Sequence, residues 1–147
     1  MKFFLDIVLV SAVSLGQSLS LITFYGVKPN FALAVLAVLA LSAKEFWKYL
    51  ILVLASLVFL NYTIIISKEI FSFGALMMLA FYLKKYLSEN IFLNSFLLVF
   101  ALTMLLYLLI DPGFIFNNFN IFILELFYNA LAGLIFGFIY KGSHGKE

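Results

Sequence analysis

Six long apolar runs, separated by short stretches that carry most of the charge, decide what this chain can fold into. The runs are Phe3 to Tyr25, Phe31 to Ala43, Phe46 to Ile66, Ile70 to Leu83, Ile91 to Ile110 and Ile121 to Tyr140. About 20 apolar residues of α-helix cross a bilayer core of about 30 Å, so little of the chain remains for a soluble domain. With a mean hydropathy of +1.19 and 66% hydrophobic residues, lipid is the expected solvent for most of it. The runs are continuously apolar rather than alternating, which selects helix over barrel strand; only these two satisfy every backbone hydrogen bond in lipid. The expected fold is an all-α membrane protein: a six-helix transmembrane bundle forming a single domain over residues 1–141, with a flexible cytoplasmic tail at 142–147. The second and fourth runs are short for crossing. They are expected to tilt little, to sit surrounded by other helices, or to extend by a turn, since mismatch costs only fractions of a kcal/mol per Å.

All nine basic residues are Lys, and six spans sort them into two sets. Lys2, Lys44, Lys48, Lys84, Lys85, Lys141 and Lys146 fall on one side, Lys28 and Lys68 on the other. By the positive-inside rule both termini are cytoplasmic, and the turns at Gly26 to Asn30, Ser67 to Glu69 and Asp111 to Asn120 face outward. The first run has a single Lys before it and no small-x-small cleavage site after it, so it is expected to be a retained helix rather than a removed signal peptide.

There is no cysteine, which excludes disulfides, thiolate catalysis and cysteine metal sites. The one histidine, His144, lies in the glycine- and charge-rich tail Gly142-Ser143-His144-Gly145-Lys146-Glu147, where a solvated end is expected. No zinc-protease helix, nucleophile elbow or phosphate-binding glycine loop occurs. The chain is accordingly expected not to be an enzyme, with no catalytic residue, no metal and no cofactor. Its few scattered Lys and its span-embedded Phe residues do not make a nucleic-acid surface. An ion channel or proton-coupled carrier would need charged groups near the midplane, and none stands there.

Polar residues inside the spans are the informative ones, because they are costly in lipid unless neighbouring helices supply partners. At about 1.5 Å of rise per residue, Gln17 lies roughly 12 Å from the outer end of the first run, Asn61 about 8 Å from that of the third, and Glu125 about 6 Å inside the sixth. Asn129 follows Glu125 by one helical turn, so the two share a face and are placed to bond each other, Gln17 or Asn61. Such groups serve either as interhelical glue or as a functional cluster near the outer surface. Asp6 stands one turn after Lys2, where an interfacial ion pair is expected.

Small residues mark close helix approach in lipid. Ala34, Ala37 and Ala40 recur along the second run, Gly133 and Gly137 form a small-xxx-small pair in the sixth, and Ser11, Ser14 and Ser18 make a weaker stripe on the first. These seams serve packing within the chain or contact with a partner helix. Between the last two runs, Asp111-Pro112-Gly113 signals a turn. The following Phe114-Ile115-Phe116-Asn117-Asn118-Phe119-Asn120 is expected to lie in the outer headgroup layer with its Phe side chains inserted.

One series of residues carries a family resemblance. Gln17 in the first helix is followed by Gly26-Val27-Lys28-Pro29-Asn30 and then by an aliphatic helix ending at Ala43, an order that resembles the rod shape-determining protein MreD family. The turn also makes local sense: Gly26 tolerates positive φ, Pro29 stops a helix, and Asn30 can cap the next one. Phe73-Gly74 in the fourth run, the Lys84-Lys85 loop and Asn129-Ala130-Leu131 in a last helix ending at Lys141 resemble the family in position and type. Where that family has a glycine-rich third helix finishing in an Asp, this chain has Leu57-Val58-Phe59-Leu60-Asn61.

The resemblance implies a non-enzymatic scaffold of the bacterial cell-elongation machinery in the cytoplasmic membrane, serving rod shape and lateral peptidoglycan synthesis. Implied partners are an MreC-like membrane protein and, indirectly, an MreB-like filament, a RodA-like glycosyltransferase and a penicillin-binding transpeptidase. The alternative is the substrate-binding S subunit of an energy-coupling-factor vitamin transporter, which the six-helix bundle resembles in architecture; Tyr25 and Tyr62 would then flank a ligand cluster. Across both, the candidate partner- or ligand-contacting residues are Gln17, Gly26, Lys28, Pro29, Asn30, Asn61, Glu125, Asn129, Gly133 and Gly137.

Overall fold

The structure, a computed structural model, describes residues 2–20, 23, 27–60, 67–87 and 90–144, with side chains described as far as Lys141. Among these residues the regular elements are helices: α1 (Lys2–Ser18), α2 (Phe31–Ser42), α3 (Phe46–Leu60), α4 (Lys68–Leu83), α5 (Ile91–Ile110), α6 (Pro112–Asn117) and α7 (Phe119–His144), with a 3-10 turn at Lys84–Tyr86. Gly26, Asn61, Tyr25 and Tyr62 lie outside the described residues. Helices α5 and α7 (over Phe119–Lys141) are long and apolar enough to cross a membrane.

Side chains available in the sequence start these helices. Asn30 Oδ1 accepts from the Leu33 amide at 3.0 Å, and Ser67 Oγ from Ile70 at 3.3 Å. Asn90 Oδ1 accepts from Phe92 and Leu93. Each satisfies an amide that the first turn leaves without an intrahelical partner.

Helix α2 is the centre of the molecule. Every residue from Ala32 to Ala40 is buried, and α1, α3, α4, α5 and α7 all pack on it. Its Ala34, Ala37 and Ala40 stripe is fully enclosed, which lets neighbouring backbones approach closely. The short second run therefore sits surrounded by helices. Helix α1, by contrast, buries only Val10 and Ser14 and lies chiefly against α3, where the Ser14 and Ser56 hydroxyls bond at 2.7 Å. The outer surface is strongly apolar, exposing Phe4, Val58, Phe71, Phe127 and Phe138 among others.

Three local expectations are corrected. The first run is not one helix to Tyr25: α1 ends at Ser18, and Leu19 and Ser20 turn. The Ser20 amide bonds Gln17 O at 3.0 Å, tightening the last turn, and Ser20 adopts a left-handed φ of 54° that diverts the chain. The turn expected at Asp111-Pro112-Gly113 instead opens α6. Asp111 Oδ1 accepts from the Phe114 amide at 3.2 Å, and Pro112 occupies the first turn, where its missing N–H costs nothing. Finally, α7 continues to His144, so the first three residues of the expected flexible tail are helical.

Two ends of the bundle result. One gathers Lys2, Ala43, Lys48, Lys84 and Tyr140; the other gathers Gln17, Asn30 and Ile110.

Candidate functional site

The half-buried amino end of α2 is where Gln17, Asn30 and Asn129 meet. Gln17 Oε1 accepts from the Ala32 amide at 2.8 Å while its Nε2 donates to Asn30 Oδ1 at 3.1 Å. Asn129 Oδ1 on α7 accepts from the Asn30 amide at 2.6 Å, and its Nδ2 donates to Thr103 Oγ1 on α5 at 3.2 Å. Thus Gln17, Asn30 and Asn129 receive three amides from the start of the central helix. Unmade, each such bond in a dry site costs about 1–3 kcal/mol. Gln17 can serve this end only because α1 stops at Ser18; it lies in the last turn, not deep within a longer span.

Asn129 belongs to a longer seam between α5 and α7, which run antiparallel. Each step of four residues along α5 meets a step of four back along α7. Gly137 faces Ser95, Gly133 faces Val99, Asn129 faces Thr103 and Glu125 faces Tyr107. A Cβ on Gly133 would stand 2.8 Å from Val99 Cγ2, and one on Gly137 would stand 2.8 Å from Ser95 Oγ. This glycine pair therefore packs within the chain. At the other end of the seam the Tyr107 hydroxyl donates to the Glu125 carboxylate, and the Tyr107 ring stacks on Phe114 of α6 at 5.1 Å between centroids.

Lys28 donates to Ser20 Oγ at 2.9 Å, and Pro29 lines a small groove with Gly16 and Phe136. Asp6 accepts from the Tyr140 hydroxyl at 3.0 Å, and Lys2 Nζ lies 5.6 Å from the Tyr140 ring centroid, so both members of the expected interfacial pair converge on Tyr140. Thr103 and Tyr107, which complete this seam, are not among the candidates that the sequence alone suggests. Their signal is legible: Thr103 and Tyr107 stand four apart in a mostly apolar run and share a face, as Glu125 and Asn129 do.

Two further concavities flank these residues. A cavity of about 480 Å³ opens beside the amino end of α2, with Gln17, Lys28, Asn30 and Glu69 among its walls. An apolar cleft of about 580 Å³ lies between α3 and α4, walled by Val53, Leu54, Leu57, Val58, Phe71 and Gly74. Comparison with family models, curated proteins and solved structures finds no match to this chain.

Proposed function

We propose that the chain is a six-span protein of the bacterial cytoplasmic membrane, both termini inside, acting as a non-enzymatic scaffold of the cell-elongation machinery through an MreC-like partner. The observation that carries this reading is the apolar cleft between α3 and α4. Its walls are almost wholly hydrocarbon, and Gly74 sits where a side chain would press on Leu57, its Cβ 3.2 Å from Leu57 Cδ1. A transmembrane helix with small side chains is the occupant such a wall accepts, because close backbone approach drives helix association in lipid. Exposed Trp47, Tyr82 and Tyr86 stand near the lysine-rich end, in keeping with an aromatic belt on the cytoplasmic side. Short connections leave helix faces as the surface a partner meets.

Pull-down of the tagged protein from its native membrane tests this, combined with photocrosslinking from Val58 and Phe71. Recovery of an MreC-like protein crosslinked at these positions, and its loss in Gly74→Leu, is the expected result; crosslinks to lipid alone overturn it. Glu125 and its partner Tyr107 border the outer surface and are proposed to steady it for the partner helix. Glu125→Leu that inserts normally yet keeps rod shape and pull-down removes that role.

The second reading, a vitamin-binding S subunit, is favoured by the 480 Å³ cavity. Against it, both polar atoms of the Gln17 amide and Oδ1 of Asn30 are already engaged at the start of α2. A vitamin or an ATPase pair with a coupling subunit co-purifying with the chain would select this second reading.

A further inference from the structure

At the lysine-rich end a cavity of about 320 Å³ opens between α1, the end of α2, the start of α3 and the end of α7. Phe3, Leu39 and Leu52 give it an apolar floor, while Lys2, Lys44 and Lys48 stand around it. Its two carboxylates already hold partners. Asp6 accepts from Tyr140, and Glu45 is ion-paired with Lys48 at 2.5 Å. The negative end of the α2 dipole is met by Lys84, whose ammonium donates to Ala43 O. Lys44 is exposed and forms no ion pair or hydrogen bond among the described residues. The Tyr140 hydroxyl leaves the Asp6 charge in place, so the lining sets Lys2, Lys44 and Lys48 against Asp6 and Glu45, one positive charge in excess. Trp47, beside Lys48 and 71% exposed, puts the mouth at the depth where indole rings settle, among lipid headgroups.

We propose that this cavity binds the headgroup of an anionic phospholipid, its phosphodiester between Lys2 and Lys44 and the first carbons of its acyl chains on the Phe3, Leu39 and Leu52 floor. A zwitterionic lipid brings a quaternary ammonium into the same positive field and is disfavoured; a soluble phosphate ester lacks the part that the apolar floor recognises. The site rests on the membrane placement proposed above but not on any protein partner, so failure to recover an MreC-like protein leaves it standing.

Native mass spectrometry of the intact chain in non-ionic detergent tests it, with phosphatidylglycerol, phosphatidylcholine of the same chains, or glycerol 3-phosphate added. Phosphatidylglycerol is expected to bind in preference to phosphatidylcholine, and each of Lys2→Gln and Lys44→Gln to weaken it about fivefold. Lys85→Gln, outside the cavity, is the control and should bind as the parent does. Equal binding of the two lipids, or undiminished phosphatidylglycerol binding by the Lys2→Gln/Lys44→Gln double variant, overturns the proposal. Displacement of the lipid by millimolar glycerol 3-phosphate also overturns it and reassigns the cavity to a soluble phosphate.

Discussion

The two halves of the α5–α7 seam solve one packing problem in opposite ways. Towards the end where α2 begins, Thr103–Asn129 and Tyr107–Glu125 join the helices through hydrogen bonds. Towards the lysine-rich end, Val99–Gly133 and Ser95–Gly137 join them by the absence of a side chain. The first half depends on polar atoms being matched, the second on volume being withheld. They should therefore fail differently: the polar half when a partner is removed, the small half when an atom is added.

The largest effect is expected from Asn129→Leu. Asn129 is fully buried, and its loss leaves both the Asn30 amide and the Thr103 hydroxyl without their partner. Two such losses cost about 3 kcal/mol, read as lowered thermal stability in detergent; an unchanged transition would show that the amino end of α2 needs no side-chain acceptor. Gly133→Ala comes next, at about 2 kcal/mol for overpacking, because its new methyl meets Val99 as well as the Ser95 carbonyl oxygen, 3.3 Å away. Adding Val99→Ala should restore part of that loss, whereas shrinking Thr103 should not rescue Asn129→Leu. If both pairs respond alike, the two halves are not distinct. Gly137→Ala is milder, about 1 kcal/mol, since it chiefly meets the Ser95 hydroxyl, and Ser95→Ala should recover most of it. Smallest is Tyr107→Phe. Its bond to Glu125 is only half-buried, and membrane hydrogen bonds average about 0.6 kcal/mol, so the unfolding midpoint should move little while a double-mutant cycle with Glu125→Gln still resolves the coupling.

The same seam shows how far the site could be read in advance. Glu125, Asn129, Gly133 and Gly137 recur every fourth residue, so their common face on one helix follows from helical geometry alone. What they face does not. Ser95, Val99, Thr103 and Tyr107 likewise recur every fourth residue on one face of α5, but that this face meets α7, and in which register, is set only by the antiparallel packing. Gln17 and Asn30 are similar: a glutamine near a Gly-Val-Lys-Pro-Asn turn signals a helix junction, yet their shared work at the start of α2 depends on α1 stopping at Ser18. A left-handed Ser20 marks that stop; the Gly16-Gln17-Ser18-Leu19-Ser20 cluster weakens the helix there, but which of these residues takes the left-handed conformation is set by the folded chain.

Composition and periodicity by themselves determined that the chain is helical, where most helices begin and end, and which side chains share a face, because hydrogen-bonded turns and capping depend on a few adjacent residues. The apolar run Ile91–Ile110 coincides with α5, and Asn30 and Ser67 cap the helices they precede. Tertiary structure alone decided that α2 is the central helix, that Asn129 serves its amino end, and that the two glycines admit α5. Those outcomes depend on which faces meet between segments distant in the chain, as in the Asn30–Asn129 bond with its separation of 99. The free energy of that meeting comes from matched polar atoms and close contact between helices, neither of which any single segment contains.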